Sequence, residues 1–294
     1  MLTTRLLRTF VAVAREGGIA AAGRQLALSP AAVSEGLSEL EGRLRKPLFD
    51  RERKRLRLNA AGAALLPRAE AILRDLADLE RIHGEGREHL RVGASVTVGN
   101  YMLDGLVSRL RSDRPGLSLE VVIRNTRAIA DAVEAFEVAV GFVEGRVERS
   151  QLEVRPWLSD DLVLVVAPDH PLAGVRALPA QLEGSSWVLR EEGAGTRATF
   201  DAAAAAHFEV RDVVLTVGGN ELLKSAVRSG MGVGCLSVSA VDRELKAGEL
   251  AKVEVPWMPL RRDLFILTHL RKAPEPALTA VLEAAEQEAL LERR

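Results

Sequence analysis

One stretch limits what this chain can fold into. From Ala22 to Leu44 the apolar residues Ala22, Leu26, Val33, Leu37, Leu40 and Leu44 recur at helical spacing, and the pattern breaks once, at Leu28-Ser29-Pro30. Ser29 can cap a new helix with its hydroxyl, and Pro30 suits the first helical position, where its missing N–H costs nothing. Two helices joined by so tight a turn predict a helix-turn-helix. Its second helix, over about Pro30 to Leu40, is placed to enter a DNA major groove. Spacing alone also fits a plain helical hairpin, so the residues that follow carry the decision. Leu48 and Phe49 are expected to end the third helix. From Arg43 to Arg57 the chain carries Arg43, Arg45, Lys46, Arg51, Arg53, Lys54, Arg55 and Arg57 against only Asp50 and Glu52. The alternation RLRL suits a two-stranded hairpin, which makes this charge run a wing for phosphates rather than a solvated face.

In the second helix the candidates for DNA contact are Ser29, Pro30, Ala31, Ser34, Glu35 and Ser38. Ala31 suits a thymine methyl group and Glu35 a cytosine amino group. With no arginine on this helix face, bidentate guanine contacts are not expected, so specificity should lean on DNA shape.

Residues 6–66 resemble the N-terminal domain of LysR-type transcriptional regulators. The resemblance is carried without gaps by Phe10, Val13, Ala14, Gly17, Ala22, Leu26, Ser29, Ala32, Val33, Ser34, Leu37, Leu40, Glu41, Leu44, Pro47, Leu48, Phe49, Arg51, Leu58 and Gly62. There are departures. Gly18 stands where a serine cap is usual, Gly23 replaces an alanine, and Pro30-Ala31 replaces a common Gln-Pro. Glu35, Gly36 and Glu39 stand where polar or basic base-reading side chains are common, and Arg45 stands where glycine is usual. The resemblance implies a double-stranded promoter with an imperfect inverted repeat as partner.

Charge is divided along the chain. Residues 1–60 carry twelve Lys/Arg and six Asp/Glu, while the whole 294-residue chain has a formal net charge of −1. A basic head on an acidic body is the asymmetry expected of a DNA-binding domain joined to something else. The single cysteine, Cys235, excludes an internal disulfide framework, and its apolar surroundings predict a buried small hydrophobe. Five scattered histidines offer no metal-ligand spacing, and no metal or cofactor is expected. The first residues lack a secretory apolar core, and no apolar run is long enough for a bilayer, so a cytoplasmic location and no membrane partner are expected.

Residues from about Asn59 to Glu88 predict one long helix. Leu65, Ala69, Ile72, Leu76, Leu79 and His83 alternate at spacings of 4 and 3, a heptad seam. The seam could pack on its own domain or pair with a second chain; nothing nearby in sequence covers it, which favours a dimer helix. In the LysR-type family this segment is the linker that dimerises the heads, implying a homodimer that assembles further into a homotetramer.

From Leu90 the texture becomes α/β. Strands are predicted at Leu90–Ala94, Leu117–Ile123, Val138–Phe142, Leu162–Ala167, Trp187–Leu189, Val213–Val217 and Phe265–Thr268. Helices are predicted at Tyr101–Arg111, Ala128–Ala135, Thr196–Ala206, Glu221–Arg228 and Ala277–Leu290. This region resembles the two-lobed, periplasmic-binding-protein-like effector domain of LysR-type regulators. The expected architecture is a winged helix-turn-helix over 1–58, a linker helix over 59–89 and an effector domain over 90–294. Its first lobe would take about 90–162 and 268–294, its second about 163–267, with a hinge near Asp161–Val165 and Leu264–Leu267.

In open α/β sheets ligands sit beyond the carboxyl ends of strands. Such ends here carry Ser95, Thr97 and Asn100, then Asn125 and Thr126, then Thr196 and Arg197, then Asn220 and Glu221. Each alone is an ordinary helix cap; convergence on one cleft would make a site for a small anion. The strings SVTVGNY, NT, EEGAGTR and NELLK are similar to a LysR-type subgroup that includes regulators of carbon-fixation and sulfur genes, whose effectors are oxyanions and phosphorylated or carboxylated metabolites. That resemblance nominates Ser95, Thr97, Asn100, Thr126, Thr196 and Glu221, with Arg127 where a glutamate is frequent.

An enzyme is not expected and no catalytic residue is nominated. The cleft loops offer no histidine, His170 lies in a turn-like PDHPL, and adjacent Asp160 and Asp161 would point to opposite faces. The alternative reading is a small-molecule-binding protein with a degenerate DNA-binding head. The wing yields the first prediction. Arg55→Ala should weaken binding to all DNA sequences alike and flatten the salt dependence of log K by about one unit. A changed sequence preference at unchanged salt slope would contradict it.

Overall fold

A computed structural model describes residues 2–52, 55–85 and 88–292; the side chains at 51–52, 55, 74–75, 78–85 and 292 lie outside that description. The chain divides into two compact units, Met1–Arg87 with Ala135–Glu137, and Glu88–Glu134 with Val138–Arg294.

In the first unit α1 (Thr4–Glu16) is capped by Thr3 and ends at Gly17, whose φ of +68° closes the helix in the left-handed conformation. The next helix, α2 (Ile19–Leu26), ends at Ala27, and after the turn Ser29 Oγ accepts from Ala32 N–H at 3.1 Å to start α3 (Pro30–Leu44). The expected helix-turn-helix is present. A Cβ at Gly23 would lie 2.8 Å from the Leu28 carbonyl oxygen, so this turn closes too tightly for the alanine usual in the family. Leu6, Phe10, Val13, Ala22, Val33 and Leu40 are fully buried at the junction of the three helices.

Two expectations are corrected here. The recognition helix runs to Leu44, four residues past Leu40, because the apolar face continues to contact the core through Leu44. Leu48 and Phe49 do not end that helix. They follow its left-handed terminus at Arg45 (φ +53°) and lead into a hairpin of β1 (Phe49–Glu52) and β2 (Arg55–Leu58). Glu41 holds the connecting turn by accepting from Leu48 N–H at 2.7 Å. In the hairpin register Phe49 faces Leu58 and Glu52 faces Arg55. Leu56 and Leu58 pack on the helical core while Arg57 is exposed, as the RLRL alternation requires.

The following helix, α4 (Ala60–Glu85), starts where Asn59 accepts from Gly62 N–H at 3.0 Å. The seam expectation holds only in part. Leu65 and Ala69 pack on this unit's own core together with Leu66 and Leu73, so the first half of the stripe is already covered. Ile72 is 47% exposed and Leu76 half-buried, while the side chains of Leu79 and His83 lie outside the described residues.

The second unit contains β3 (His89–Ser95), α5 (Val96–Tyr101), α6 (Asp104–Asp113), β4 (Ser118–Arg124), α7 (Thr126–Glu134), β5 (Val140–Glu144) and the long β6 (Leu152–Val166). There follow α8 (Pro179–Glu183), β7 (Ser186–Arg190), α9 (Gly195–Ala205), β8 (Asp212–Val217), α10 (Asn220–Arg228), β9 (Val233–Ser237), α11 (Val238–Ala247), β10 (Ala251–Val253), β11 (Arg261–His269) and α12 (Pro276–Glu292). Strand order is β4-β3-β5-β11-β6-β9-β7-β8, with β10 also on β6. The β3–β4, β3–β5, β7–β8 and β7–β9 pairs are parallel, and β11 runs antiparallel between β5 and β6.

Two lobes result because β6 serves two cores. Trp157 lies in the core that Val92, Phe142, Leu264 and Val281 build, whereas Leu162, Leu164 and Val166 belong with Trp187, Phe200 and Met258. The strands cross between lobes at Asp160–Leu162 and Leu260–Arg262. The hinge expected at Leu264–Leu267 is therefore displaced: those residues pair with β5 inside the first lobe, which moves the end of the second lobe from 267 to about Leu260. The crossing is marked only by charges, Asp160-Asp161 in β6 and Arg261-Arg262 in β11, and apolar periodicity alone does not assign the flanking residues to one core or the other.

Arg45 and Ala27 hold positive φ without being glycine. A left-handed residue with a Cβ costs about 1 kcal/mol or more, part of which glycine gives back through the unfolded chain. Arg45→Gly should therefore stabilise the head by about 0.5 kcal/mol in thermal unfolding of the full chain. A lowered midpoint would show that the arginine side chain outweighs the strain.

Candidate functional site

On the first unit Ser29, Pro30, Ala31, Glu35 and Ser38 are exposed along one side of α3, and Ser34 is half-buried. Gly36 faces inward against Thr9 and is not available to bases. Glu39 is held by Arg43 at 2.6 and 3.0 Å, with Arg5 at 3.7 Å, so its charge is neutralised locally. Arg57 is exposed; Arg53 and Lys54, and the side chains of Arg51 and Arg55, lie outside the described residues.

In the second unit the buried guanidinium of Arg262 lies where the two long strands cross. Asp160 is its direct cross-strand partner in the register, and Nε and Nη2 donate to Asp160 Oδ2 at 2.9 and 2.6 Å. Nη1 donates to Glu144 Oε2 and to Thr196 Oγ1, each at 2.9 Å. Ser237 Oγ donates to Asp160 Oδ1 at 2.7 Å. Glu144 Oε1 accepts from Ser95 Oγ at 3.1 Å and from Thr97 N–H at 3.0 Å, and the Glu144 carbonyl accepts from Thr126 Oγ1 at 3.2 Å. Four nominated residues, Ser95, Thr97, Thr126 and Thr196, are thus brought together. They meet around a carboxylate of the chain itself, and the hydroxyls of Ser95, Thr126 and Thr196 do not cap their helices.

Burial pushes both carboxyls toward the neutral form. At Glu144 the nearby Arg262 charge and Thr97 outweigh this and leave its pKa below the ordinary value. At Asp160 burial outweighs Arg262 and Ser237, and the pKa is raised. Asp161 is exposed, as the alternation of faces predicts, so the adjacent acids do not form an acid/base pair.

The lobes meet at two further points. Asn125 donates to Glu191 at 3.2 Å, and Arg127 N–H donates to the carbonyl of Gly193 at 3.1 Å. Tyr101 donates to Glu221 at 2.7 Å; Lys224 lies 2.8 Å from both Glu221 and Glu244 and sits over the Tyr101 ring. Burial and that hydrogen bond raise the Tyr101 pKa, whereas Lys224 holds Glu221 below the ordinary carboxylate range. Asn100 is exposed, and Arg197 is spent on Asp201 at 2.8 Å and the Arg190 carbonyl at 3.2 Å. Gly195 permits the contact between α9 and β5, since a Cβ there would lie 2.4 Å from the Glu144 carbonyl oxygen.

Sequence reasoning missed Glu144, Arg190, Ser237 and Arg262; it placed Asn220 only at a helix start and weighed Asp160 only as half of an acid pair. The available signal was a charge at an inward position of an otherwise apolar strand, in VGFVE and RRDLFILTH. Arg190 is buried and donates to Asn220 Oδ1 at 2.7 Å and to Glu191. Among the described residues, Thr97 Oγ1 and Asn220 Nδ2 are two of seven buried side-chain polar atoms that make no hydrogen bond. A cavity of about 670 Å³ opens beside Arg262, lined by residues 145–149 of the first lobe and Thr199 of the second. Cys235 is buried and its thiol is pushed up to about 12, so it is no thiolate at neutral pH. Among the described residues no group of acids, histidines and cysteine could hold a metal, and no helix is long and apolar enough to cross a membrane.

Residues 4–63 match the bacterial regulatory helix-turn-helix proteins of the lysR family, and residues 83–290 match the LysR substrate binding domain. The chain belongs to the LysR family of transcriptional regulators. The HTH-type transcriptional regulator YeiE of Escherichia coli K12, described as uncharacterized, is 38% identical over 282 residues, 96% of each chain. The RuBisCO operon transcriptional regulator of Allochromatium vinosum is 30% identical, over 98% of this chain and 97% of that one. The crystal structure of CbnR, a LysR family transcriptional regulator, shares the fold with a TM-score of 0.75 and 20% identity, over 98% of this chain and 99% of that one. This LysR-type regulator is therefore a DNA-binding protein with an effector-binding domain and not an enzyme.

The triad makes a measurable demand on stability. Arg262→Ala leaves Glu144 and Asp160 buried without a counter-charge and should destabilise the effector domain by about 3–5 kcal/mol in urea unfolding. In the wild type, Glu144, with its depressed pKa, contributes stability that is present at neutral pH and lost as pH falls, while Asp160, with its raised pKa, acts in the opposite sense. In the variant both carboxyls would be raised above their unfolded values, so stability should instead recover as pH falls. A variant whose pH dependence matches the wild type would refute the pairing.

Proposed function

We propose that this LysR-type regulator is switched by a small anionic effector held between the lobes of its effector domain. The observation that carries the reading is the pair of orphan groups, Thr97 Oγ1 on the first lobe and Asn220 Nδ2 on the second. Both can donate, and leaving buried donors unpaired costs about 1–3 kcal/mol each. A ligand that presents acceptor oxygens to both would relieve that cost only when the lobes are together, which is the differential affinity a switch needs. In this reading Thr97 and Asn220 touch the effector, and Ser95, Thr126 and Thr196 position Glu144 and Arg262 beside it. Asn125 and Glu221 stitch the closed form, with Asn100 and Arg127 at the mouth.

The regulator would act in the cytoplasm, on a promoter with an imperfect inverted repeat, as a homodimer through α4 assembled into a homotetramer. The exposed Ile72 and half-buried Leu76 support α4 as that contact. Closure of the effector domain would then bias how the two heads of a dimer engage their half-sites.

Thermal-shift screening of the full chain with sulfate, sulfite, phosphate and small carboxylates tests the effector. An anion should stabilise the wild type, and Thr97→Val should weaken it by about 1–3 kcal/mol, the worth of a charge-assisted hydrogen bond. Stabilisation by neutral or cationic ligands and by no anion would sink the reading.

A further inference from the structure

We infer that Glu35 is the base-reading side chain of the recognition helix and that it selects a cytosine at one position of each half-site. The inference rests on the family's DNA-binding assignment and is independent of the effector proposal. Helix α3 offers a major groove few other side chains. Ala31, Ala32 and Ser38 are exposed but short, and Ser34 is half-buried. Gly36 and Leu37 face the core. Glu39 is long enough, yet Arg43 and Arg5 hold it. Glu35 alone among these is long, exposed and without a hydrogen-bond or ion-pair partner among the described residues.

A bare carboxylate on the face that approaches a polyanion is repelled unless it accepts from a base. Only two base edges in the major groove present an amino group, cytosine N4 and adenine N6. Adenine places its N7 lone pair beside that amino group, which repels the second carboxylate oxygen. Cytosine places a C–H there instead. Guanine and thymine present acceptors and are excluded outright. The small neighbours add to this, since Ala31 and Ala32 let the helix sit deep enough for one medium-length side chain to reach an edge. The glutamate therefore supplies discrimination rather than affinity.

Selection from a randomised duplex library spanning about two helical turns tests this with the full-length protein. Wild type should enrich cytosine over the other bases at least about fivefold at one position per half-site. Glu35→Ala should flatten that position, leave the others enriched, and bind non-specific DNA more tightly. Glu35→Gln should move the same position toward adenine, because an amide both donates to N7 and accepts from N6. Circular dichroism confirms that both variants remain folded. Unchanged cytosine enrichment in Glu35→Ala would overturn the inference. So would loss of selection at every position in a folded Glu35→Ala, which would make Glu35 a shaper of the helix rather than a reader.

Discussion

The effector domain depends on one buried guanidinium shared by two carboxylates. Arg262 meets Glu144 and Asp160 where the long strands pass between lobes, and all three side chains are withdrawn from water. Stripping ions of hydration costs several kcal/mol each, and attraction repays it only when the remaining lone pairs and protons also find partners. Ser95, Thr97 N–H, Thr196 and Ser237 are those partners. The polar residues of this cleft are thus first a substitute for the water that the triad lost. Because Thr196 belongs to the second lobe and Ser95 to the first, the same network also ties the lobes together.

The DNA-binding unit rests on close approach instead of charge. Gly23 lies under the Leu28 carbonyl and Gly36 lies against Thr9. A Cβ at Gly62 would meet the Leu48 carbonyl oxygen at 2.2 Å. These contacts let three short helices and a hairpin enclose Phe10 and Leu40, and they account for some departures from the family pattern. Gly23 answers a tight turn and Gly36 an inward face, whereas Arg45 accepts a left-handed conformation that glycine would hold without strain. What remains on the outer side of α3 is a row of small side chains around one acid, which favours shape and methyl contacts over guanine readout.

Local signals explain what could be read without coordinates. Ser29 and Pro30 mark a helix start through bonds made within one turn, and RLRL marks a hairpin through side-chain alternation, so both appear in the sequence and in the structure. Strand ends bearing Ser95, Thr126 and Thr196 were legible for the same reason. Their partner was not, since Glu144 lies 49 residues from Ser95 and 52 from Thr196. The stripe on α4 was legible as apolar, but nothing in it states whether its own core or another chain covers Leu65 and Ala69.

The amino-acid sequence by itself determined the helix-turn-helix, the basic head, the α/β body and the family, because capping, periodicity and charge act over a few residues; short elements such as α5, α8, β9, α11 and β10 were not legible in it. Tertiary structure alone decided where β6 and β11 cross, which acid each arginine neutralises, and that the cleft hydroxyls serve Glu144. It also left Thr97 Oγ1 and Asn220 Nδ2 unpaired. The physical reason is desolvation. Whether a polar side chain is a surface group, a buried ion or an orphan donor depends on what packs over it, and that is fixed only when residues distant in sequence come together.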